Sequence, residues 1–379
     1  MNEKTFDIND ISKVCSSCGN CLFACPVYNA DKIEPNAPRG KINIIKGVMN
    51  QELTPNPLNK ELVSKCLVCG SCQAICTNKV EFVPMMLEYR HQIFDHGRLP
   101  LIKKFILTMY QTKLFKHMTW AMGLAARTPL SRFLTLPKVK NKSLRKHYTR
   151  DTKKHYDILL FPGCVLSKFY SHLLVKIKLF LESQGFTVAL PKDLKCCGFP
   201  FLSTGWQDKF KKFRDANTNV FEKYSFDHLV IPCGSGVSAI KEYYNLQNTN
   251  VLELTEFLFD HCKDAPITKQ ILSQTNGKIT YHDPCHNLKS HNIKEQPRHF
   301  LRQLGDNYVD DTSTYCCGFG GFFSIGFPKT SRQILDRRQQ VFEKNKAGTV
   351  ITSCPGCYMQ LKENLPQHVK FFIELFDDI

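Results

Sequence analysis

The sequence predicts a helical, cysteine-rich amino-terminal domain followed by two duplicated α/β domains built on parallel sheets. Two observations carry this prediction. Eight of the 18 cysteines fall in two runs of identical spacing between Cys15 and Cys76. The later cysteines repeat: Cys164, Cys196-Cys197 and Cys233 return as Cys285, Cys316-Cys317 and Cys354, at offsets of 121, 120 and 121 residues. A constant offset over three landmarks marks an internal duplication.

A chain of 379 residues exceeds what one hydrophobic core usually supports. Four blocks are expected: a cysteine-rich domain over 1–98, a basic linker over 99–156, a first repeat over 157–268 and a second over 275–379. Met1 to Val14 lacks the pattern of a signal peptide, and no apolar run reaches the roughly 18 residues of a membrane span, so a cytoplasmic protein is expected. In that reducing compartment cysteines at such density imply metal or cluster ligation, not disulfides.

In the repeats, the runs Asp157–Phe161, His228–Ile231, Lys278–Tyr281 and Thr349–Thr352 read as buried strands, most of them ending at a cysteine. Helical stretches over Lys168–Gln184, Asp208–Tyr224 and Ser331–Lys346 alternate with them. Strands alternating with helices predict a doubly wound parallel sheet, whose ligands bind at the carboxyl ends of the strands. The cysteines should therefore gather at one edge of each sheet.

The net charge of +17 is concentrated in one segment. From Leu99 to Tyr156 fourteen Lys or Arg stand against the single acid Asp151, which is +13 of the +17. Apolar residues at 102, 105, 106, 109, 110, 114 and 118 put one greasy face opposite lysines. Such an amphipathic helix either packs on neighbouring domains or docks on anionic lipid or a partner. Aromatics are sparse there and no nucleic-acid module is visible, so nucleic acid is not an expected partner.

The two amino-terminal runs are Cys15-x2-Cys18-x2-Cys21-x3-Cys25-Pro26 and Cys66-x2-Cys69-x2-Cys72-x3-Cys76. Short spacers let three thiolates of one run cap a cubane, while the fourth ligates the other cluster. Two 4Fe-4S clusters are expected: one on Cys15, Cys18, Cys21 and Cys76, the other on Cys66, Cys69, Cys72 and Cys25. Thr77 stands where a second proline is common. The long insertion between the runs suits a helical ferredoxin-type domain, and zinc fits eight cysteines in two identical runs poorly.

Two such runs followed by two Cys-Cys-Gly repeats resemble the iron-sulfur subunit of glycolate oxidase and its relatives. These include the C subunit of anaerobic glycerol-3-phosphate dehydrogenase, the lactate-utilisation iron-sulfur proteins and heterodisulfide reductase. The stretch Pro38-Arg39-Gly40-Lys41 looks most like the glycolate oxidase branch. The resemblance implies that Cys285, Cys316, Cys317, Cys354 and Cys357 hold a further iron-sulfur cluster, or zinc. The first repeat keeps Cys164, Cys196, Cys197 and Cys233, but Gly236 occupies the last cysteine position; it holds a cubane or zinc, is vestigial, or receives a quinone.

His282 and His286 flank Cys285 and are candidates to tune its cluster or carry protons, or are plain polar residues at a strand end. Cys262 reads as a buried apolar thiol. Gly318-Phe319-Gly320-Gly321 lacks dinucleotide-loop spacing and reads as close packing. With no flavin or nicotinamide fingerprint in the chain, oxidation of a 2-hydroxy acid falls to a partner. The resemblance implies an electron-transfer subunit that takes electrons from a flavoprotein acting on glycolate or lactate. It passes them to membrane quinone or a similar acceptor, as a cytoplasmic or inner-face peripheral protein. The rivals are a heterodisulfide or disulfide reductase, and a glycerol-3-phosphate dehydrogenase iron-sulfur subunit.

Overall fold

The computed structural model describes residues 14–93 and 143–377. The amphipathic helix expected over 101–118, and most of the basic segment, lie outside the described residues.

The amino-terminal part is helical. Short helices α1 (Asn20–Ala24), α2 (Pro26–Asp31), α4 (Pro57–Ser64) and α5 (Ser71–Ala74) accompany two longer ones, α3 (Pro38–Met49) and α6 (Phe82–Ile93). Proline in the first turn starts α2, α3 and α4, where its missing N–H costs nothing and its fixed φ suits the helix. The Asn56 side chain caps α4 by accepting from the Asn59 N–H at 2.9 Å. Ile42, Ile45, Val63, Phe82, Met85, Met86 and Tyr89 form the core. The cysteines sit in the loops and short turns around it.

Each repeat folds as a four-stranded, wholly parallel sheet. The first holds β1 (His155–Leu160), β2 (Val188–Ala189), β3 (Ser225–Ile231) and β4 (Asn250–Glu253) in the order β2-β1-β3-β4; the second holds β5 (Lys278–Tyr281), β6 (Tyr308–Val309), β7 (Ala347–Thr352) and β8 (His368–Phe371) in the order β6-β5-β7-β8. The identical order bears out the duplication. The central strands are apolar in continuous runs because helices cover both faces. Their expected positions match: β5 spans the residues expected of it, and β1, β3 and β7 begin two or three residues early. The short edge strands β2, β4, β6 and β8 escaped the sequence reading, being too brief for their apolar pattern to stand out.

Helices α7 (Cys164–Phe169), α8 (Ser171–Ser183), α9 (Phe199–Leu202), α10 (Gln207–Phe221), α11 (Gly234–Tyr243) and α12 (Leu254–His261) belong to the first repeat. After α13 (Gln270–Ser273), helices α14 (Cys285–Ser290), α15 (Glu295–Leu301), α16 (Phe322–Gly326), α17 (Pro328–Lys344) and α18 (Pro355–Asn364) complete the second. The single helix expected over 168–184 is instead broken at Tyr170 into α7 and α8.

The repeats share one hydrophobic core, in which Leu173, Leu174 and Ile177 of α8 meet Tyr358, Leu361 and Phe376 of the second repeat. The Tyr170 and Tyr358 rings stand edge to face at 4.9 Å, and the Lys176 ammonium donates to the Phe376 carbonyl at 2.7 Å. Among the described residues no helix is long and apolar enough to cross a membrane.

Candidate iron-sulfur centres

In a sheet ordered 2-1-3-4 the strand connections reverse direction between β1 and β3, and the crevice at their carboxyl ends is where ligands bind. Cys164 follows β1 and Cys233 follows β3, while Cys285 follows β5 and Cys354 follows β7. The fold thus delivers four cysteines to the two switch points. Cys197 and Cys317 join them from the Cys-Cys-Gly turns. There Gly198 and Gly318 adopt φ of 80° and 81°, and a Cβ on Gly318 would stand 2.5 Å from the Ser331 carbonyl oxygen. This is the physical reason for glycine at the third place of that motif.

In the amino-terminal domain Cys15, Cys18, Cys21 and Cys76 line one cavity, with Cys72 also on its wall. Cys76 comes from the second run, so this cavity draws thiols from both runs. Cys25 crosses the other way: its thiol feels Cys69 and Cys66, and Cys72 feels the same pair. Both runs wrap with a residue at positive φ ahead of the second cysteine, Ser17 at 57° and Val68 at 53°. That turn folds main-chain N–H groups back toward sulfur, as in the donation from Val68 to Cys66 Sγ at 3.4 Å. Similar donations run from Tyr28 to Cys25 Sγ and from Val80 to Cys76 Sγ, each at 3.5 Å.

The two sets differ in exposure. Cys18 is exposed, whereas Cys25 and Cys72 are buried. Burial pushes the Cys25 thiol up to about 12 and Cys72 well above the usual thiol range. A coordinated metal, which binds the thiolate, offsets that desolvation. Two convergent sets of four thiols, one around an open cavity, fit the 4Fe-4S group in donor type and number.

Two cations that the sequence reading did not assign a role stand beside the second set. Lys41 is 1 % exposed; burial lowers its ammonium to about 8, against the pull of Cys66 and Cys25. Arg90, on α6, donates to the carbonyls of Ser64 and Cys66, each at 2.9 Å, and to that of Ser203 in the first repeat. It ties the Cys66 loop to both domains. A buried cation on a helix gives no periodic signal, so only its place in the fold reveals it.

The second set abuts the second repeat. The Cys69 thiol lies against that of Cys285, which in turn lies against Cys316. Cys316 adjoins Cys317, whose thiol donates to Cys357 Sγ at 3.3 Å, and Cys357 lies against Cys354. The structure therefore brings all five second-repeat cysteines together. In the first repeat Cys164, Cys196 and Cys197 form a similar short chain. Cys233 lies in the same apolar cluster, and its thiol lies against Cys354 of the second repeat, so the two repeat sites adjoin.

Of the flanking histidines, His282 is buried and His286 half-buried. Burial, and secondarily the Arg338 guanidinium, holds His282 well below the usual imidazole range. His286, lowered chiefly by burial, hydrogen-bonds the Val68 main chain across the domain junction. Ahead of Cys285, Asp283 receives both Nη atoms of Arg298 at 2.9 and 2.7 Å in a buried bidentate pair. Cys262 is buried and apolar in its surroundings, as expected, with its thiol pushed up to about 11. Gly320 packs so tightly that a Cβ there would stand 2.3 Å from Leu67 Cδ2, in keeping with a close-packing role for this loop.

Comparison with known proteins agrees with this architecture. Residues 11–80 match the 4Fe-4S dicluster domain, and residues 158–241 and 279–362 each match the cysteine-rich domain. The chain thus combines a 4Fe-4S dicluster domain with two copies of the cysteine-rich domain, which marks it as an iron-sulfur protein. Its relatives include a subunit of the fumarate reductase (CoM/CoB) of Methanothermobacter marburgensis, 26 % identical over 96 % of this chain and 70 % of that protein. The glycolate oxidase iron-sulfur subunit of Escherichia coli is 22 % identical over 100 % of this chain and 96 % of the relative. Lactate utilization protein A of a Geobacillus strain is 28 % identical over 56 % of this chain and 93 % of its own length.

Proposed function

We propose that this chain is the iron-sulfur electron-transfer subunit of a flavin-linked 2-hydroxy acid dehydrogenase acting on glycolate or lactate. It takes electrons from a partner flavoprotein and hands them to membrane quinone or a similar acceptor. The observation that carries the reading is the Cys69–Cys285 contact, which abuts a ligand of one dicluster set directly on the second repeat. Relatives named for glycolate oxidase and lactate utilization support the choice of substrate class.

In this reading Cys15, Cys18, Cys21 and Cys76 hold one cluster, and Cys66, Cys69, Cys72 and Cys25 the other. Cys285, Cys316, Cys317, Cys354 and Cys357 hold a third metal group, and Cys164, Cys196, Cys197 and Cys233 line the adjoining first-repeat site. When bound, the clusters supply one-electron carriage. The exposed Cys18 end is the entry side, and the buried Cys25–Cys72 end faces the repeats. The functional units are 1–98, 157–268 and 275–379, with the basic linker 99–156 holding the complex on the inner membrane face or against its partner.

The test is anaerobic purification from the native host, followed by addition of glycolate, lactate or glycerol 3-phosphate in turn while visible cluster absorbance is watched. Rapid bleaching by glycolate or lactate, with a flavoprotein co-purifying, is the expected result. Bleaching by glycerol 3-phosphate alone would reassign the substrate. The five thiols gathered in the second repeat favour one rival, a disulfide or heterodisulfide reductase. No bleaching by any of the three, with disulfide reduction by the reduced chain, would favour that rival.

A further inference from the structure

We propose that His282 is a direct nitrogen ligand to a metal atom that Cys317 and Cys357 also bind in the second repeat. The inference rests on the reading that this repeat holds a metal group, and it adds a ligand to the five thiols already assigned there.

The argument begins with the main chain. His282 is the first residue after β5, and its N–H donates to the Ile351 carbonyl at 2.8 Å, which continues the β5–β7 ladder and fixes where the ring enters the crevice. The side chain is wholly buried, yet neither ring nitrogen has a hydrogen-bond partner. Buried polar atoms are nearly always paired, so two unpaired nitrogens on one buried ring point to a ligand. Phe342 stands edge-on to the imidazole at 6.4 Å, on the helix that also carries Arg338.

What the ring faces is sulfur. One ring nitrogen and the sulfurs of Cys317 and Cys357 all lie within 4.8 Å of one another. Tetrahedral coordination, with bonds of about 2.0–2.1 Å to nitrogen and about 2.3 Å to sulfur, sets ligand atoms roughly 3.5–3.8 Å apart, inside that limit. Among the described residues this is the one group of three such side chains so placed. His286, whose Nε2 is also unpartnered, is not part of it.

The duplication supplies an independent comparison. The same backbone bond recurs in the first repeat as Phe161 N–H to Val230 O at 2.9 Å, which makes Phe161 the counterpart of His282. The counterpart of Cys357 is Gly236. The first repeat therefore lacks both the histidine and the cysteine that face each other in the second, while keeping Cys197 in the place of Cys317. That two donors are present together in one copy and absent together in the other is the pattern expected of ligands to one atom.

The test uses the full chain purified anaerobically with its metals, with and without 15N-histidine labelling, and the His282→Gln variant. Iron and zinc are counted per chain. Pulsed EPR reads nitrogen coupling at the second-repeat centre if it is paramagnetic, and X-ray absorption at the zinc edge reads it if it is zinc. The expected result is a histidine nitrogen, shifted by the isotope label and lost in His282→Gln, with the signals of the dicluster domain unchanged. If His282→Gln does not fold, His286→Gln decides the matter: a bound histidine nitrogen that survives in that variant supports the inference, and one lost with it overturns the assignment to His282. Metal in the second repeat with no histidine nitrogen bound would overturn the inference and leave the electron-transfer reading standing. No metal beyond that of two cubanes would overturn both the second-repeat assignment and this inference.

Discussion

Lys41 places an ammonium in the protein interior beside the thiols of Cys25 and Cys66, with its Nζ donating to the Asn36 carbonyl. A cation so near a cluster stabilises the more negative, reduced state and raises its potential. Lys41→Met is expected to lower the midpoint potential of the second dicluster centre by something on the order of tens of millivolts, read by EPR-monitored redox titration. An unchanged potential would mean that the charge is neutralised by deprotonation. Gly318 is a second residue whose role is local. With φ at 81° and the Ser331 carbonyl 2.5 Å from a built Cβ, Gly318→Ala should cost about 1–3 kcal/mol and displace Cys317. Gly163, at φ 61° with nothing within 4 Å, separates the two causes: its alanine variant should lose stability through the backbone strain alone, seen as an earlier thermal melt, without displacing Cys317.

At the scale of elements, the amino-terminal runs work as a crossed pair. Cys25→Ser, at the end of the first run, is expected to abolish the signal of the cluster held by the second run and to spare the other. Loss of the opposite signal would overturn the crossed assignment. In the first repeat, Glu253 ends β4 and caps α12 by accepting from the Thr255 N–H at 2.6 Å. It is fully buried, and burial raises its carboxyl to about 7, against its hydrogen bonds to Thr255. The folded state therefore holds a proton that the unfolded chain releases near pH 4.5, so stability falls as pH rises from about 4.5 to about 7 and then levels. The loss amounts to about 3 kcal/mol at most. Denaturant unfolding of Glu253→Gln between pH 5.5 and pH 8 should show a flatter profile than the wild type; an equal slope would assign the pH dependence to other groups.

For the whole molecule, the contacts that matter are between domains. Gly320 admits Leu67 so closely that a Cβ would approach its Cδ2 to 2.3 Å, and Arg337 donates to the Asn29 carbonyl at the same junction. Gly320→Val is expected to hold the dicluster domain off the second repeat. Iron content should stay the same, while stopped-flow reduction of the second-repeat centre slows relative to that of the cubanes. Equal rates would mean that the junction does not lie on the electron path.

The sequence by itself determined what depends on spacing along the chain. Two cysteine runs with three-residue steps, a duplication near 121 residues and apolar runs ending at cysteines were enough for the helical domain and the paired parallel sheets. Spacing works here because ligands within one run lie on one turn, and strand ends bring distant cysteines to one crevice. Only the tertiary structure decided how the sites join. Cys69 meets Cys285, Cys233 meets Cys354, and His282 turns toward Cys317 and Cys357. Lys41 and Arg90 lose their water beside sulfur. These are contacts between residues dozens to hundreds of positions apart, fixed by the packing of domains on one another, and no local pattern encodes them.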